Sequence, residues 1–201
     1  MKKGTIIALA VVGVIIVGII GMVLWGIGAY NNLVTINETV TNSWAQVENQ
    51  YQRRADLIPN LVNTVKGYAE FERGVLTDVT EARAKVSQMN ITPEVLNDPA
   101  AFQKFQQLQG ELSGALSRLL VTVENYPNLK ANENFLQLQA QLEGTENRIS
   151  VERRKFNETV QTYNTTIKRF PNSMLAGLFG FGEKQYFKSA PGSENAPKVE
   201  F

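Results

Sequence analysis

The chain has 201 residues, a formal net charge of +1, and neither Cys nor His. The missing cysteines exclude disulfides, thiolate nucleophiles and acylation at cysteine, and the missing histidines remove the usual general base, metal ligand and pH switch. With no basic excess, nucleic acid is not an expected partner.

Residues 1–30 come first. From Thr5 to Ala29 the run TIIALAVVGVIIVGIIGMVLWGIGA carries no charge. A bilayer core is crossed by about 20 apolar residues in a helix, so this run predicts one transmembrane helix. It is longer than the apolar stretch of a cleaved signal peptide. Lys2 and Lys3 precede it, and no Lys or Arg follows until Arg53. The positive-inside rule then places the N-terminus in the cytoplasm and the rest of the chain outside. Trp25 and Tyr30 fall at the far headgroup level. Gly13, Gly21 and Gly28 lie within about 80° of one another on an ideal helix. Such a face suits packing against other copies in lipid, although glycine is also simply common in membrane helices.

Residues 31–170 read as four helices. Leu33, Ile36, Val40, Trp44, Val47 and Tyr51 recur every three or four residues and predict the first. The second is expected to start near Pro59, a residue tolerated at a first helical position, and to end near Met89–Asn90. Its stripe is Leu61, Val65, Tyr68, Glu72, Val75, Val79, Ala82 and Val86. NITPEVLNDP is a loop, and Asp98 caps a third helix over about 99–126, with Phe102, Phe105, Gln109, Leu112, Leu116, Leu119, Val123 and Tyr126 on its face. A fourth helix runs from about 132 to 170 and stops before Pro171. No segment alternates with period two. The predicted fold class is all-α, an N-terminal transmembrane helix followed by an antiparallel up-and-down four-helix bundle with long helices and a seam close to a coiled coil.

Polar residues interrupt the apolar stripes. Glu72 and Gln109 occupy core positions by spacing, Arg54 follows Tyr51 by three, and Glu146 and Arg153 break the stripe of the last helix. In an antiparallel bundle these five would meet as a polar layer, with arginine forks matching the carboxylates. The two readings are an ion-pair network that fixes helix register and an oxygen-ligated divalent ion. The network is preferred, and no metal or other cofactor is expected. A di-iron carboxylate centre needs histidine and fails. No phosphate loop, GxSxG turn or SxxK motif is present, so no catalytic residue is assigned and the chain is not expected to be an enzyme.

Two blocks carry a family resemblance. YNNLVTINETVTNSWAQVENQYQRRADLIPNLVNTVKGYAEFE opens the soluble part, and ENRISVERRKFNETVQTYNTTIKRFPNSMLAGLFGF holds Glu-Asn-Arg, paired Arg, aromatic-Asn, Tyr-Asn and Phe-Pro in order. Both resemble the LemA family of bacterial membrane proteins, and the ending APKVEF is similar to that family's Pro-x-Val-x-Phe. The resemblance implies an N-terminal span, a helical bundle and a bacterial inner membrane. It assigns no catalytic residue.

Beyond Phe170 the sequence becomes apolar and Gly-rich over 171–188, too short and broken to span a bilayer. An up-and-down bundle returns this segment to the membrane surface, placing Met174, Leu175, Leu178, Phe179 and Phe181 at headgroup level. They read as an interfacial anchor or a contact with a neighbouring subunit, or else as a cap folded back on the bundle end. The tail 189–201 is linker-like, with Val199 and Phe201 as an adhesive end. The expected function is a non-enzymatic single-pass protein whose bundle self-assembles into a homo-oligomer and organises or scaffolds the membrane. The expected partners are the lipid bilayer and copies of the chain. The alternative is an adaptor subunit for another membrane complex, an envelope protease or signalling protein.

Overall fold

The first helix of this computed structural model, α1, is continuous from Lys3 to Lys66. The structure describes residues 3–68, 72–89 and 92–188, and of residues 3 and 5–8 the backbone alone. Lys2, Val199, Phe201 and the tail 189–201, to which expectations were attached above, lie outside the described residues. The other helices are α2 (Arg73–Gln88), α3 (Pro99–Val123), α4 (Pro127–Lys130), α5 (Glu133–Lys168) and α6 (Asn172–Phe179), with a 3-10 turn at Pro93–Asn97. The described residues contain no strand.

At 1.5 Å per residue α1 is about 96 Å long. Its first half is the uncharged run, with apolar side chains facing outward and nothing of the chain packed on them. Its second half buries Leu33, Val40, Trp44, Val47 and Tyr51. One helix therefore serves as both candidate span and core wall.

The expected break before Pro59 does not exist. A proline inside a helix leaves the carbonyl four residues earlier without its donor, at a usual cost of about 3 kcal/mol. Here that carbonyl belongs to Ala55, and Arg83 of α2 donates its Nε to it at 2.9 Å. A tertiary contact replaces the missing backbone bond, and the helix continues for two more turns. The break comes instead after Lys66, so Leu61 and Val65 belong to α1. This also corrects the placement of Glu72. It precedes α2 in an extended conformation and is exposed, not a core residue. Elsewhere local chemistry acts as expected. Asp98 accepts from the N–H groups of Ala100 and Ala101 to start α3, and Asn132 accepts from Phe135 N–H to start α5.

The register follows from side-chain contacts. Asn132 at the start of α5 donates to the Tyr68 hydroxyl just beyond α1 (3.1 Å), Arg54 meets Glu146 midway, and Tyr30 meets Phe179 at the membrane end. So α5 runs antiparallel along α1. α3 runs antiparallel to α2, as Arg118–Asp78 and Lys85–Glu111 show, and α2 to α1. By contrast α3 and α5 scarcely touch.

The buried side chains form two clusters. The distal one is mostly aliphatic, from Ile58, Leu61 and Val65 of α1 to Leu112 and Leu119 of α3 and Leu142 of α5, with the ring of Phe135 among them. The membrane-proximal one is aromatic, built on Trp44, Phe102, Phe105, Phe156, Tyr163 and Phe187.

Candidate functional site

A buried guanidinium separates the two clusters. Arg54 is only 2% exposed. Its Nη1 donates to Glu146 Oε2 and Ser113 Oγ, both at 2.8 Å, and its Nη2 donates to Gln109 Oε1 at 2.5 Å and to the Gln109 carbonyl at 3.4 Å. Its Cζ also lies 5.2 Å from the centre of the Tyr51 ring. Burial raises the Tyr51 phenol above its ordinary value, and the nearby positive charges of Arg153 and Arg54 partly offset that rise. One long cation thus ties α1 to both α3 and α5, a pair of helices that otherwise scarcely touch.

Of the five residues expected in a polar layer, Arg54, Gln109 and Glu146 converge. Ser113 joins them, and its small hydroxyl gives no periodic signal. Glu72 is elsewhere. Arg153 lies toward the membrane, with its Cζ 4.5 Å from the centre of the Phe187 ring. Glu146 is committed to the arginine, and its side chain is 55% exposed. Such a layer pairs one positive with one negative charge and offers a divalent cation no set of converging carboxylates. Among the described residues no group of three or more Asp or Glu side chains is placed to hold a metal ion.

The second feature was not foreseen. After Gly180, whose φ of 75° turns the chain back, residues 181–188 run as a strap up the gap between α3 and α5. Asn164 donates Nδ2 to the Lys184 carbonyl and accepts the Lys184 N–H, each at 2.9 Å. Asn157 does the same for Phe187, again at 2.9 Å both ways. The Tyr163 hydroxyl donates to Gly182 O at 3.0 Å. Phe187 plugs the aromatic cluster, with ring centroids 5.0 Å from Phe102, 5.5 Å from Phe156 and 6.0 Å from Trp44. Lys184 reaches Asn97 Oδ1, and burial holds its ammonium below the usual lysine value, offset in part by Glu94. The available signal was the pair Phe156-Asn157 and Tyr163-Asn164, an aromatic-Asn step repeated after seven residues.

The third feature lies where the uncharged run ends. Phe179 and Phe181 pack at 4.7 and 6.0 Å from Tyr30. Leu175 and Phe181 are half-buried against the aromatic core, whereas Phe170, Met174, Leu178 and Phe179 are 81%, 68%, 76% and 52% exposed. The segment 171–188 therefore divides into an α6 with an open apolar face and a strap that folds back on the helices. In the uncharged run of α1, a Cβ added at Gly13, Gly21 or Gly28 would meet nothing within 4 Å.

One helix of the described chain is long and apolar enough to cross a membrane, and it lies near the N-terminus. Comparison with known proteins finds similarity to magnetosome protein MamQ 2 of Paramagnetospirillum magneticum, 25% identical over 210 residues, covering 96% of this chain and 76% of that protein. Magnetosome protein MamQ of Magnetospirillum gryphiswaldense is 25% identical over 181 residues, 82% of this chain and 66% of that protein. Protein LemA of Metamycoplasma hominis is 23% identical over 150 residues, 75% of this chain and 64% of that protein. A family model described as LemA family matches residues 43–201, which takes in α1 from Ser43 onward, the Arg54 layer, both asparagines that hold the strap, and the strap itself. The chain belongs to the LemA family.

Proposed function

We propose that this protein is a non-enzymatic, single-pass membrane protein whose α1, α2, α3 and α5 act as one antiparallel four-helix bundle. In this reading the N-terminus is cytoplasmic, the bundle stands outside the inner membrane, and copies assemble laterally to organise it. The observation that carries the reading is the open apolar face of Phe170, Met174, Leu178 and Phe179. It is continuous, through Phe179 and Tyr30, with the outward-facing apolar run of α1. Exposed apolar clusters of this kind mark contacts, and continuity with the span makes the lipid surface the occupant. The bundle is then fixed to the membrane at two points and cannot swing freely on one helix. Self-assembly is supported by the glycine face of a span that has no partner within the chain, and by confinement to a plane. The relatives' names carry no enzymatic activity.

The test is to image the full chain extracted with its own lipids and to cross-link it in native membranes. Multi-copy assemblies are expected, with Leu178→Glu loosening the bundle from the lipid surface. A monodisperse monomer in both settings overturns the reading. A distinct partner in fixed stoichiometry replaces it with the adaptor role.

A further inference from the structure

α3 and α5 stand apart, and the strap fills only the membrane-proximal part of the gap. What holds the strap is recognition of its main chain. Asn164 and Asn157 are seven residues apart on α5, two turns and a rise of about 10.5 Å. The residues they grip, Lys184 and Phe187, are three apart, which in extended chain spans about 9–10 Å. The two rulers match. A repeat of three on one side is that of polyproline II, since residues three apart in a β-strand face opposite ways. One edge of α5 is therefore a template for extended chain, with a rung every seven residues.

The end of the strap points along the same edge. Lys188 is already held by both walls, its N–H donating to Gln106 Oε1 of α3 at 3.2 Å and its carbonyl accepting from Arg153 of α5 at 3.3 Å. The next rungs by spacing are Ser150, Glu143 and Leu136. Ser150 has no hydrogen-bond partner among the described residues and lines a shallow depression with Glu146, Arg153 and Lys188. At the far end stand Val121 and Leu136, 69% and 49% exposed, the two most exposed large apolar residues of α3 and α5. They share a level. Arg54 brings Gln109 and Glu146 together, and from there Val121 lies about 18 Å along α3 and Leu136 about 15 Å along α5.

We propose that the α3/α5 cleft is a binding groove for extended chain and that its occupant beyond Lys188 is the segment 189–201 of the same chain, with Val199 and Phe201 covering Val121 and Leu136. Lys188 enters the groove on course. From Phe187 to Val199 an extended chain reaches about 37 Å, against about 32 Å from Asn157 to Leu136 along α5. Pro191 and Pro197 suit the polyproline II geometry that the rungs select.

The chain has no cysteine, so introduced pairs report cleanly. In the full chain in lipid nanodiscs, Ser193→Cys is combined with Glu143→Cys on the expected rung, or with Arg148→Cys on the opposite face of α5. Mild oxidation should link the groove pair within one chain about tenfold faster than the control pair, because a held segment has a high local concentration. Asn157→Ala should slow the groove pair selectively. Equal rates for the two pairs overturn the proposal, as does a groove-pair rate indifferent to Asn157→Ala. A product of dimer size also overturns it and assigns the groove to a neighbouring copy.

Discussion

Distal to Arg54 the core is mostly aliphatic and its described walls are helices; toward the membrane it is aromatic and is closed by a strap. The division follows from the length of α2. At 16 residues α2 lines only the distal cluster, through Leu76, Val79, Ala82 and Val86. The membrane-proximal half lacks a helix at that position. The 3-10 turn supplies Val95 and Leu96, and the strap supplies Phe187. Large rings fill a space that facing helices do not narrow, and ring pairs 5–6 Å apart add specific geometry to burial. Among the described residues one half is walled by helices, and the other depends on a peptide laid into it.

The sharpest way to break this comparison is Phe187→Ala. Removing a buried phenylalanine costs about 3–5 kcal/mol through lost burial and the cavity left behind. Hydrogen exchange should rise in α5 around Phe156–Tyr163 and change little around Phe135–Leu142. Equal loosening of both halves would show that they unfold as one unit and that the division is only compositional.

Next in size is Arg54→Met, which keeps the length of the side chain and removes its charge. Glu146 stays solvated, but Gln109 Oε1 is left buried without its donor, for a loss of roughly 1–3 kcal/mol in thermal unfolding. Adding Gln109→Leu removes the orphaned group and should recover most of that loss. If the double variant is no more stable than the single one, the layer contributes through packing and not through its hydrogen bonds.

Asn157→Ala follows. It forfeits both bonds to Phe187 and should cost about 1–2 kcal/mol, net of what water returns. The readout is exchange of the Phe187 amide, with the Lys184 amide, still gripped by Asn164, as the internal reference.

What the sequence made legible was the apolar periodicity. The uncharged run, the stripe from Leu33 to Tyr51, the Asp98 cap and the long last helix all appear as read. The misplaced break at Pro59 has one cause. Local rules treat proline as a boundary, and only the fold brings Arg83 of α2 to the Ala55 carbonyl. Glu72 was misread through the same error, because its spacing was counted along a helix that stops at Lys66. Arg54, Gln109 and Glu146 were legible as polar intrusions, whereas Ser113 was not, since a serine on a helix has no distinctive pattern. The strap was invisible for a different reason. Extended chain held by side-chain amides has no periodicity of its own, and its signature is written in α5, as Asn157 and Asn164, not in residues 181–188.

The smallest effect concerns pH and the start of the strap. The Tyr163 hydroxyl donates to Gly182 O, and burial pushes this phenol above its ordinary value of 10.0. A group with a raised folded pKa contributes stability that is complete below its unfolded value and is lost as pH climbs through the folded one. The Lys184 ammonium, 5.7 Å from the centre of the same ring, acts in the opposite sense. Its folded pKa lies below 10.5, so the unfolded chain binds more protons just under that value and stability rises with pH there. Glu94, which partly supports the lysine's charge, is held below its usual value and does not titrate in this range. The two alkaline slopes oppose each other in the wild type. In a Tyr51→Phe background, which removes the other phenol that burial raises, Tyr163→Phe should expose the rise due to Lys184, and Lys184→Gln the fall due to Tyr163, between about pH 9 and pH 11. Fluorescence of Trp44, stacked on Phe187, follows the strap in a Trp25→Phe background. Parallel pH curves for the wild type and Tyr163→Phe would remove the phenol from the energetics of the strap and leave its hold to the two asparagines, the Phe187 ring and the contacts of Lys184 and Lys188.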